Sequence, residues 1–315
     1  MYKLGVVFPG QGAQYVGMGK DFYDHSERAR DIFTDAHNIL DEDVAHLCFE
    51  GPQELLDQTV NTQTTILTAD IAAYETFTAE AAIVPAVMAG HSLGEYAALY
   101  AAGALSFHDT LTLVRARAIC MRDAVPDGAG CMAAVMGIRR ETIEELCRAV
   151  TEDTSAVVGV ANYNGPGQFV ISGNTAAVDT VIAGAKEAGA RRIMKLPISV
   201  PCHCSLLDDA AATFEQSLKV IENRECRVPV IPNYDPHTVY TGENLKSLLA
   251  KQLNSPVRWE ETINTMAGMG IDTIVEIGPK RTLSGLIKRI HGGITLLNIE
   301  NVQSLNKTMA KLKSL

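Results

Sequence analysis

A serine lies between two glycines in the stretch MAGHSLGEYAA, residues 88–98. The segment from Gly90 to Gly94 follows a short apolar run and precedes a helical pattern, and a strand, turn and helix in this order are typical of a nucleophile elbow. In such a turn the Ser92 hydroxyl projects at the start of the helix, where the Leu93 N–H and the helix dipole favour negative charge. The stretch alone leaves three interpretations open for Ser92: an ordinary turn residue, the nucleophile of a hydrolase, or the nucleophile of a transferase.

A serine nucleophile needs a general base at neutral pH, and His203 in SVPCHCSLL is the best candidate. We expect it at the start of a helical pattern, after an inserted unit that can return it to the main sheet. His91 directly precedes Ser92, and neighbouring side chains on such a turn point apart, so we expect it to support the site rather than act as the base. No third acid with a clear motif follows His203, which counts against an ordinary hydrolase triad.

Two other patterns are poor binding motifs. The glycine-rich segment PGQGAQYVGMG, residues 9–19, has Tyr15 where a dinucleotide fingerprint needs its last glycine, and it has no P-loop lysine. We expect this turn to supply a second N–H to an oxyanion. Cys202 and Cys204 flank His203, but alternating spacing without a second ligand cluster is poor zinc chemistry, so we expect no metal.

The elements that position these residues alternate between strand-length apolar runs and longer helical patterns, which predicts an α/β fold with a largely parallel sheet. Strands are predicted at 4–8, 85–89, 272–278 and 293–299. Helices are predicted at 26–40, 62–79, 95–103, 109–123, 203–220, 243–253, 258–269 and 282–290, with one more at the end of the chain.

A different order interrupts this pattern. Strands at 130–138, 155–162, 168–173 and 191–198, with helices at 141–150 and 175–189, have the β-α-β-β-α-β order of a ferredoxin-like unit. We therefore predict a large subdomain from 1–127 and 199–315, with a small subdomain inserted at 128–198.

Composition excludes several classes of function. The 315 residues are 47% hydrophobic and 20% charged, as in ordinary soluble enzymes. A net charge of -10 argues against nucleic acid or an anionic membrane as the main partner. The 7 cysteines are odd in number and have no C-x-x-C pair, no run is long enough to span a membrane, and the start is unlike a targeting segment. We expect a cytoplasmic protein with reduced thiols.

Motifs along almost the whole chain resemble those of the malonyl-CoA:acyl-carrier-protein transacylases. They are FPGQGAQ (8–14), the TQ of NTQTT (61–65), GHSLGEYAAL (90–99), Arg117 and Met121 in RARAICM (115–121), NYNGPGQFVISG (162–173), SVPCHCSLL (199–207), QLNSPVRW (252–259) and EIGPKRTLSGL (276–286). The resemblance implies an α/β-hydrolase-like large subdomain with an inserted ferredoxin-like one, which agrees with the pattern above.

The resemblance also implies a set of residue roles. Ser92 is the acylated nucleophile, His203 is its general base and acid, and Arg117 binds the substrate carboxylate. Without the resemblance, Arg117 would be interpreted as a surface charge on a helix. The backbone N–H groups of Gln11 and Leu93 form the oxyanion hole, and the backbone of Gln252 orients His203. Four pocket positions and the neighbouring histidine complete the substrate-binding set: Gln63, Met121, Asn162, Gln168 and His91.

The function that follows is transfer of a malonyl group from malonyl-CoA to the phosphopantetheine thiol of an acyl carrier protein, for fatty-acid or polyketide synthesis. We expect no cofactor and no metal, because phosphopantetheine belongs to the carrier protein, and we expect a monomer. Carrier proteins are usually acidic, so a chain of net charge -10 needs a local basic face. Candidate residues for this face are Arg191, Arg192, Lys195, Lys280, Arg281, Lys288 and Arg289.

Two alternatives remain from the sequence. One is a serine esterase or thioesterase, and the other is a non-catalytic scaffold of a lipid or polyketide assembly line. Arg117 separates the first from a malonyltransferase, and the presence of both Ser92 and His203 speaks against the second.

Overall fold

The fold is described from a computed structural model, which describes residues 2–81, 83–198, 200–222 and 224–315. The strands are β1 Leu4–Phe8, β2 Val87–Gly90, β3 Gly130–Met136, β4 Val158–Gly165, β5 Gln168–Asn174, β6 Arg192–Lys195, β7 Val230–Ile231, β8 Thr273–Ile277 and β9 Thr295–Ile299. The helices are α1 Lys20–His25, α2 Glu27–Leu40, α3 Val44–Glu50, α4 Gln53–Leu56, α5 Thr59–Glu80, α6 Gly94–Ala101, α7 Phe107–Asp123, α8 Arg140–Thr154, α9 Thr175–Glu187, α10 Asp208–Lys219, α11 Leu245–Asn254, α12 Trp259–Gly268, α13 Thr282–Ile290 and α14 Val302–Ser314.

The first sheet is parallel, with the strand order β7-β2-β1-β8-β9 among the described residues. Its central strands are buried along their whole length and are apolar apart from Thr273 and Glu276 of β8, as expected when helices cover both faces of a parallel sheet. Parallel strands present their carboxyl ends at one edge. The glycine-rich loop after β1, the serine turn after β2 and the loop after β8 therefore meet at that edge.

The second sheet is antiparallel, with the order β4-β5-β3-β6. This is the ferredoxin-like order, and it confirms the predicted fold class of a parallel α/β unit with a ferredoxin-like companion. Alternate residues of β3 have different surroundings: Ala133 and Val135 pack in a core with α8 and α9, whereas Met132 and Ala134 belong to the core cluster of the first sheet. One face of this sheet is thus directed toward the parallel sheet.

Some local predictions were wrong. The helix expected over 203–220 begins only at Asp208, after a 3-10 turn at Ser205–Leu207, so His203 lies in the preceding turn. The two-residue β7 was not predicted, because so short a run has no detectable alternation. The subdomain boundaries 1–127, 128–198 and 199–315 stay a prediction, and position 199 lies outside the described residues.

Candidate active site

Ser92 is placed by a sharp turn between β2 and α6. Its φ of 52° lies in the left-handed region, which a residue with a side chain seldom adopts. The flanking glycines are required by space, since a Cβ on Gly90 would lie 1.9 Å from the carbonyl carbon of Gly94. The turn therefore has the backbone of a nucleophile elbow, with the serine in the strained position.

His203 is in hydrogen-bond contact with this serine. Its Nε2 lies 2.7 Å from Ser92 Oγ, and its Nδ1 lies 2.9 Å from the Gln252 carbonyl and 3.1 Å from the Ser255 carbonyl. Because carbonyl oxygens only accept, Nδ1 must carry the proton, and Nε2 is then free to accept from the Ser92 hydroxyl. The backbone thus orients the histidine as a base without an acid.

The environment of His203 keeps it neutral. Burial, the nearby Arg117 guanidinium and His91 lower the pKa of His203 from 6.5 to about 3, although the bonds to the Gln252 and Ser255 carbonyls act in the opposite direction. A neutral imidazole can accept the serine proton at every pH at which the enzyme would work.

Arg117 projects from α7 into the site and is only 1% exposed. It donates to Ser92 Oγ at 3.0 Å, to Gln63 Oε1 at 2.5 Å and to Gln252 Oε1 at 3.1 Å, and it lies 5.6 Å from the centre of the Tyr96 ring. None of these partners is an anion, and no ion pair of Arg117 occurs among the described residues. A buried cation that forms no direct ion pair favours an anionic ligand.

Gln252 contacts all three of the residues above. Its carbonyl accepts from His203, its side-chain oxygen accepts from Arg117, and its side-chain nitrogen donates to the Ser92 carbonyl at 2.8 Å. The resemblance implied only the backbone contact. The amide side chain therefore adds a link between base, nucleophile and arginine that sequence reasoning missed.

The glycine-rich loop packs directly against the elbow. A Cβ on Gly10 would lie 2.3 Å from the His91 carbonyl oxygen and 3.6 Å from the Leu93 nitrogen. In the described part of the chain, neither Gln11 N–H nor Leu93 N–H has a hydrogen-bond acceptor. Two free N–H groups on segments this close are suited to one oxyanion.

These residues open into a cavity of about 300 Å³ between the two sheets. One wall consists of the loop after β1, the elbow and the start of α13, and the other comes from the strands of the second sheet. The apolar residues of this second wall are Met132, Ala134, Met136, Val170, Met194, Leu196 and Ile198. The nucleophile therefore faces a largely apolar space with few polar groups, as ligand cavities usually do.

The remaining predicted site residues are distributed unequally. Met121 and Asn162 line the cavity, as does His91, whose Nε2 lies 2.8 Å from Asn164 Oδ1 and whose pKa is lowered by burial. Gln63 lies behind Arg117 and is fully buried. Gln168 is not among the cavity residues; it begins β5 opposite Met136.

Asn233 and Glu95 were not found by sequence reasoning. Asn233 Oδ1 accepts from the Ser92 N–H at 2.6 Å, and Glu95 Oε2 accepts from the Asn233 N–H at 2.8 Å. Glu95 was visible only as part of GHSLGEY, where a glutamate in the first turn is typical of a helix start. Asn233 follows a proline in a loop, and no signal in its surroundings would have identified it.

Comparison with known proteins agrees with this geometry. The model of the acyl transferase domain family matches residues 6–301. The malonyl CoA-acyl carrier protein transacylase of Bacillus subtilis (strain 168) is 40% identical over 313 residues, covering 99% of this chain and 98% of that protein. The chain therefore belongs to the acyl transferase family. Within it, the chain belongs among the malonyl CoA-acyl carrier protein transacylases, which confirms the resemblance.

Solved structures give the same result. An acyl carrier protein S-malonyltransferase from Vibrio cholerae has a TM-score of 0.94 and 38% identity, covering 97% of this chain and 99% of that chain. A malonyl-transacylase solved in complex with its type II PKS acyl-carrier protein has a TM-score of 0.95 and 36% identity, covering 98% of this chain and 99% of that chain.

Metal-binding clusters and membrane-spanning helices are both absent from the described residues. No cluster of three or more His, Cys, Asp or Glu side chains there could hold a metal ion. Across the same residues, no helix combines the length and the apolar character needed to cross a membrane.

Proposed function

We propose that this protein transfers a malonyl group from malonyl-CoA to the phosphopantetheine thiol of an acyl carrier protein. The observation that carries the proposal is the Arg117 guanidinium, which is buried, has no anionic partner, and lies 3.0 Å from the Ser92 hydroxyl. A carboxylate bound there would place the rest of a short acyl chain beside the nucleophile. The names of the relatives, several of which are malonyl CoA-acyl carrier protein transacylases, support the same substrate.

In the first half-reaction, the Ser92 oxygen attacks the thioester carbonyl while His203 Nε2 takes the hydroxyl proton. The oxyanion is stabilised by the N–H groups of Gln11 and Leu93. When the tetrahedral intermediate collapses, the carbon–sulfur bond breaks and His203 returns its proton to the CoA thiolate. The product is a malonyl ester on Ser92.

The second half-reaction reverses these steps with another thiol. The phosphopantetheine thiol of the carrier protein gives its proton to His203 and attacks the ester carbonyl. The bond between the carbonyl carbon and the serine oxygen breaks, and His203 reprotonates Ser92. Two products thus leave in turn, as in ping-pong kinetics.

Arg117 gives the reaction its preference for a carboxylated acyl group. The two Nη atoms of a guanidinium can bind a carboxylate through parallel charge-assisted hydrogen bonds. A malonyl group held in this way also occupies space that a hydrolytic water would need. Gln63 and Gln252 hold the guanidinium in place through their side-chain oxygens. Met121 and Asn162, which line the cavity, complete the proposed substrate contacts. Gln168 lies outside the cavity lining and is left out of these contacts.

The carrier protein would approach the cavity mouth beside α13. Thr282, Leu283 and Leu286 of this helix line the cavity. Lys288 and Arg289 of the helix are exposed, as is Arg281 at its N-cap. On the opposite side, Arg192 pairs across from Met136, on the cavity face of β6. Lys195 is a weaker candidate, because it forms an ion pair with Asp179 at 2.6 Å. This arrangement offers a basic rim to an acidic partner.

Several further parts of the proposal rest on the chemistry of the family. The reaction needs no metal and no resident cofactor, since His203 and the oxyanion hole supply the acid–base and electrostatic steps. We place the protein in the cytoplasm and expect a monomer. The 128–198 segment would act as the inserted small subdomain that supplies the second cavity wall.

Mass spectrometry of the protein after mixing with malonyl-CoA tests the proposal. We expect a malonyl adduct on Ser92, its absence in Ser92→Ala, and its transfer when a carrier protein with phosphopantetheine is added. A scaffold would form no adduct. A thioesterase would transfer the malonyl group to water at least as fast as to the carrier protein, and free malonate would accumulate. A panel of acyl-CoA substrates with two carrier proteins, followed separately for acylation and transfer, then defines the pathway.

A further inference from the structure

Asn233 lies in the loop after β7, is 1% exposed, and has every polar group bonded. Its side-chain oxygen accepts from the Ser92 N–H at 2.6 Å, and its side-chain nitrogen donates to the Gly90 carbonyl at 2.6 Å. Its backbone N–H donates to Glu95 Oε2 at 2.8 Å, and its carbonyl accepts from the Arg258 N–H at 3.1 Å. One residue thus joins β7, the elbow and α6.

The two side-chain bonds hold the backbone on both sides of His91. β7 pairs with β2 only through Met88 and Ala89, so its ladder of backbone bonds ends before the elbow begins. The Asn233 amide continues this pairing in place of a further strand residue. It thereby fixes the chain where Ser92 adopts its positive φ, a conformation that persists only when the surroundings determine it.

Asn233 is in turn held by a buried carboxyl group. Glu95 is fully buried and accepts from the Asn233 N–H through one oxygen and from the Tyr240 hydroxyl through the other. The Tyr240 backbone N–H also donates to the Val230 carbonyl at 2.9 Å. The loop that carries Asn233 is therefore anchored to the first turn of the helix that begins at the elbow.

We propose that Asn233 is a positioning residue, which holds the Ser92 backbone so that the hydroxyl meets His203 and the Leu93 N–H faces the oxyanion. The Ser92 N–H is committed to Asn233 and cannot also bind the oxyanion, which leaves the N–H groups of Leu93 and Gln11 for it. This inference deepens the proposed function and rests on Ser92 being the nucleophile.

The test uses Asn233→Ala and Asn233→Asp, with Asn174→Ala as the matched control. Asn174 also accepts from a backbone N–H, that of Val157 at 2.8 Å, but at the end of β5 in the second sheet. Three quantities are measured for each protein: the rate of labelling by a neutral fluorophosphonate, the kcat and KM for malonyl-CoA, and the melting temperature. The fluorophosphonate reports on the nucleophile and the oxyanion hole without requiring Arg117 or a malonyl group.

We expect Asn233→Ala to slow both labelling and kcat by about 100-fold, the scale of a nucleophile displaced by roughly 1 Å. The KM for malonyl-CoA should change by less than about threefold, because the groups that bind the substrate are intact. Asn174→Ala should lower the melting temperature by a similar or smaller amount and leave the labelling rate unchanged.

The pH dependence of the Asn233→Asp variant distinguishes a positioning role of Asn233 from a packing role. A protonated aspartate can accept from the Ser92 N–H and donate to the Gly90 carbonyl, as the amide does, whereas an ionised one repels that carbonyl. Glu95 contacts Asn233 directly, Tyr240 bonds to Glu95, and His91 lies between the two backbone groups that Asn233 binds. The charge of Arg117 acts on Glu95, and His203 and Arg117 both contact Ser92. The wild type carries all of these groups. We therefore expect the ratio of the Asn233→Asp rate to the wild-type rate to rise as the pH falls.

A labelling rate of Asn233→Ala within about twofold of the wild type, or a flat ratio for folded Asn233→Asp, contradicts the inference. If Asn233→Ala does not fold, Asn233→Asp decides alone, because its protonated form has the shape of the amide. If instead the wild type labels with fluorophosphonate but accepts no malonyl group, the proposed function fails while the role of Asn233 is still measured.

Discussion

Replacing Arg117 with alanine tests which group reads the acyl carboxylate. The guanidinium is buried and has only neutral partners among the described residues, so its loss leaves a bound malonyl carboxylate unpaired. We expect kcat/KM for malonyl-CoA to fall by roughly 100- to 1,000-fold, the effect of about 3–4 kcal/mol for a buried charge that loses its partner. Acetyl-CoA, which has no such carboxylate, should lose much less.

Arg122→Ala is the matched control on the same helix. Arg122 is exposed and paired with Asp123, and an exposed pair of this kind contributes little. Its malonyl and acetyl rates should both equal those of the wild type. Equal losses for the two acyl groups in Arg117→Ala would instead show that Arg117 acts mainly on the Ser92 hydroxyl.

The pKa of His203 predicts the pH dependence of acylation. The base must be neutral, and burial with the Arg117 charge lowers its pKa to about 3. The rate of Ser92 acylation should therefore stay independent of His203 ionisation from pH 8 down to pH 5 and be lost only as the pH approaches 3. Acylation reactions with malonyl-CoA, quenched at timed intervals and analysed by mass spectrometry, measure the rate at each pH. A midpoint near 6.5 would contradict the buried, neutral histidine.

The same residue makes the fold sensitive to acid. Its folded pKa of about 3 lies below the ordinary value of 6.5, so the unfolded chain binds more protons between these values. The contribution of His203 to the free energy of unfolding is fully present above pH 6.5. It is lost as the pH decreases toward 3, by about 1.4 kcal/mol per pH unit in that window. His203→Gln removes this contribution, so its unfolding free energy should fall less between pH 6.5 and 4. Urea titrations at several pH values measure the difference.

Single residues were predictable where a local pattern exposes their chemistry. Ser92 has a motif, and His203 could be chosen because it follows the last predicted strand of the inserted unit, whereas most other histidines lie in polar surroundings. Arg117 could not be distinguished from surface arginines of the same helix without the resemblance, because burial is a tertiary property. Asn233 acts through contacts with residues more than a hundred positions away, which no local pattern encodes.

At the scale of elements, β3 contributes one wall of the cavity through every second residue. Ala134 lies on this face, 8% exposed, between Met132 and Met136. Ala134→Leu places three additional carbons in the cavity, so kcat/KM for malonyl-CoA should fall by about tenfold, the scale of a methylene or two in a fitted pocket. Steady-state kinetics and a melting curve measure the two effects.

Ala176→Leu, on the exposed face of α9, is the control for the larger side chain. It should leave both kinetics and melting temperature unchanged. If Ala134→Leu is as active as the wild type, the strand face does not contact the substrate, and the cavity wall has no part in selection.

Elements with a clear apolar pattern were well predicted, and several short elements without one were not. The helix at 282–290 has the predicted bounds, because its apolar residues recur at helical spacing. The short helices α1, α3 and α4 were not predicted, and β7 has only two residues. Yet β7 leads to Asn233, so a segment without a sequence signal supports the elbow.

At the scale of the whole molecule, the site exists only where the two sheets meet. The carboxyl edge of the parallel sheet supplies the nucleophile and the oxyanion loops, and the second sheet supplies the apolar wall. The order of elements in the sequence predicted both sheets, but not which faces would meet. That arrangement depends on side chains such as Met132 and Ala134 joining the core of the first sheet.

The charge of the whole molecule bears on how the carrier protein docks. A net charge of -10 should repel an acidic carrier protein, so productive docking requires the basic rim beside the cavity mouth. Arg281→Glu combined with Lys288→Glu should raise the KM for the carrier protein by about tenfold, and low salt should enhance the difference, because screening weakens steering. Acylation by malonyl-CoA, measured without the carrier protein, should continue.

The matched control is Lys307→Glu with Lys311→Glu on the exposed face of α14, which makes the same change in net charge away from the site. If this control pair raises the KM as much as the α13 pair, net charge alone governs the encounter. If neither pair changes it, the carrier protein docks elsewhere.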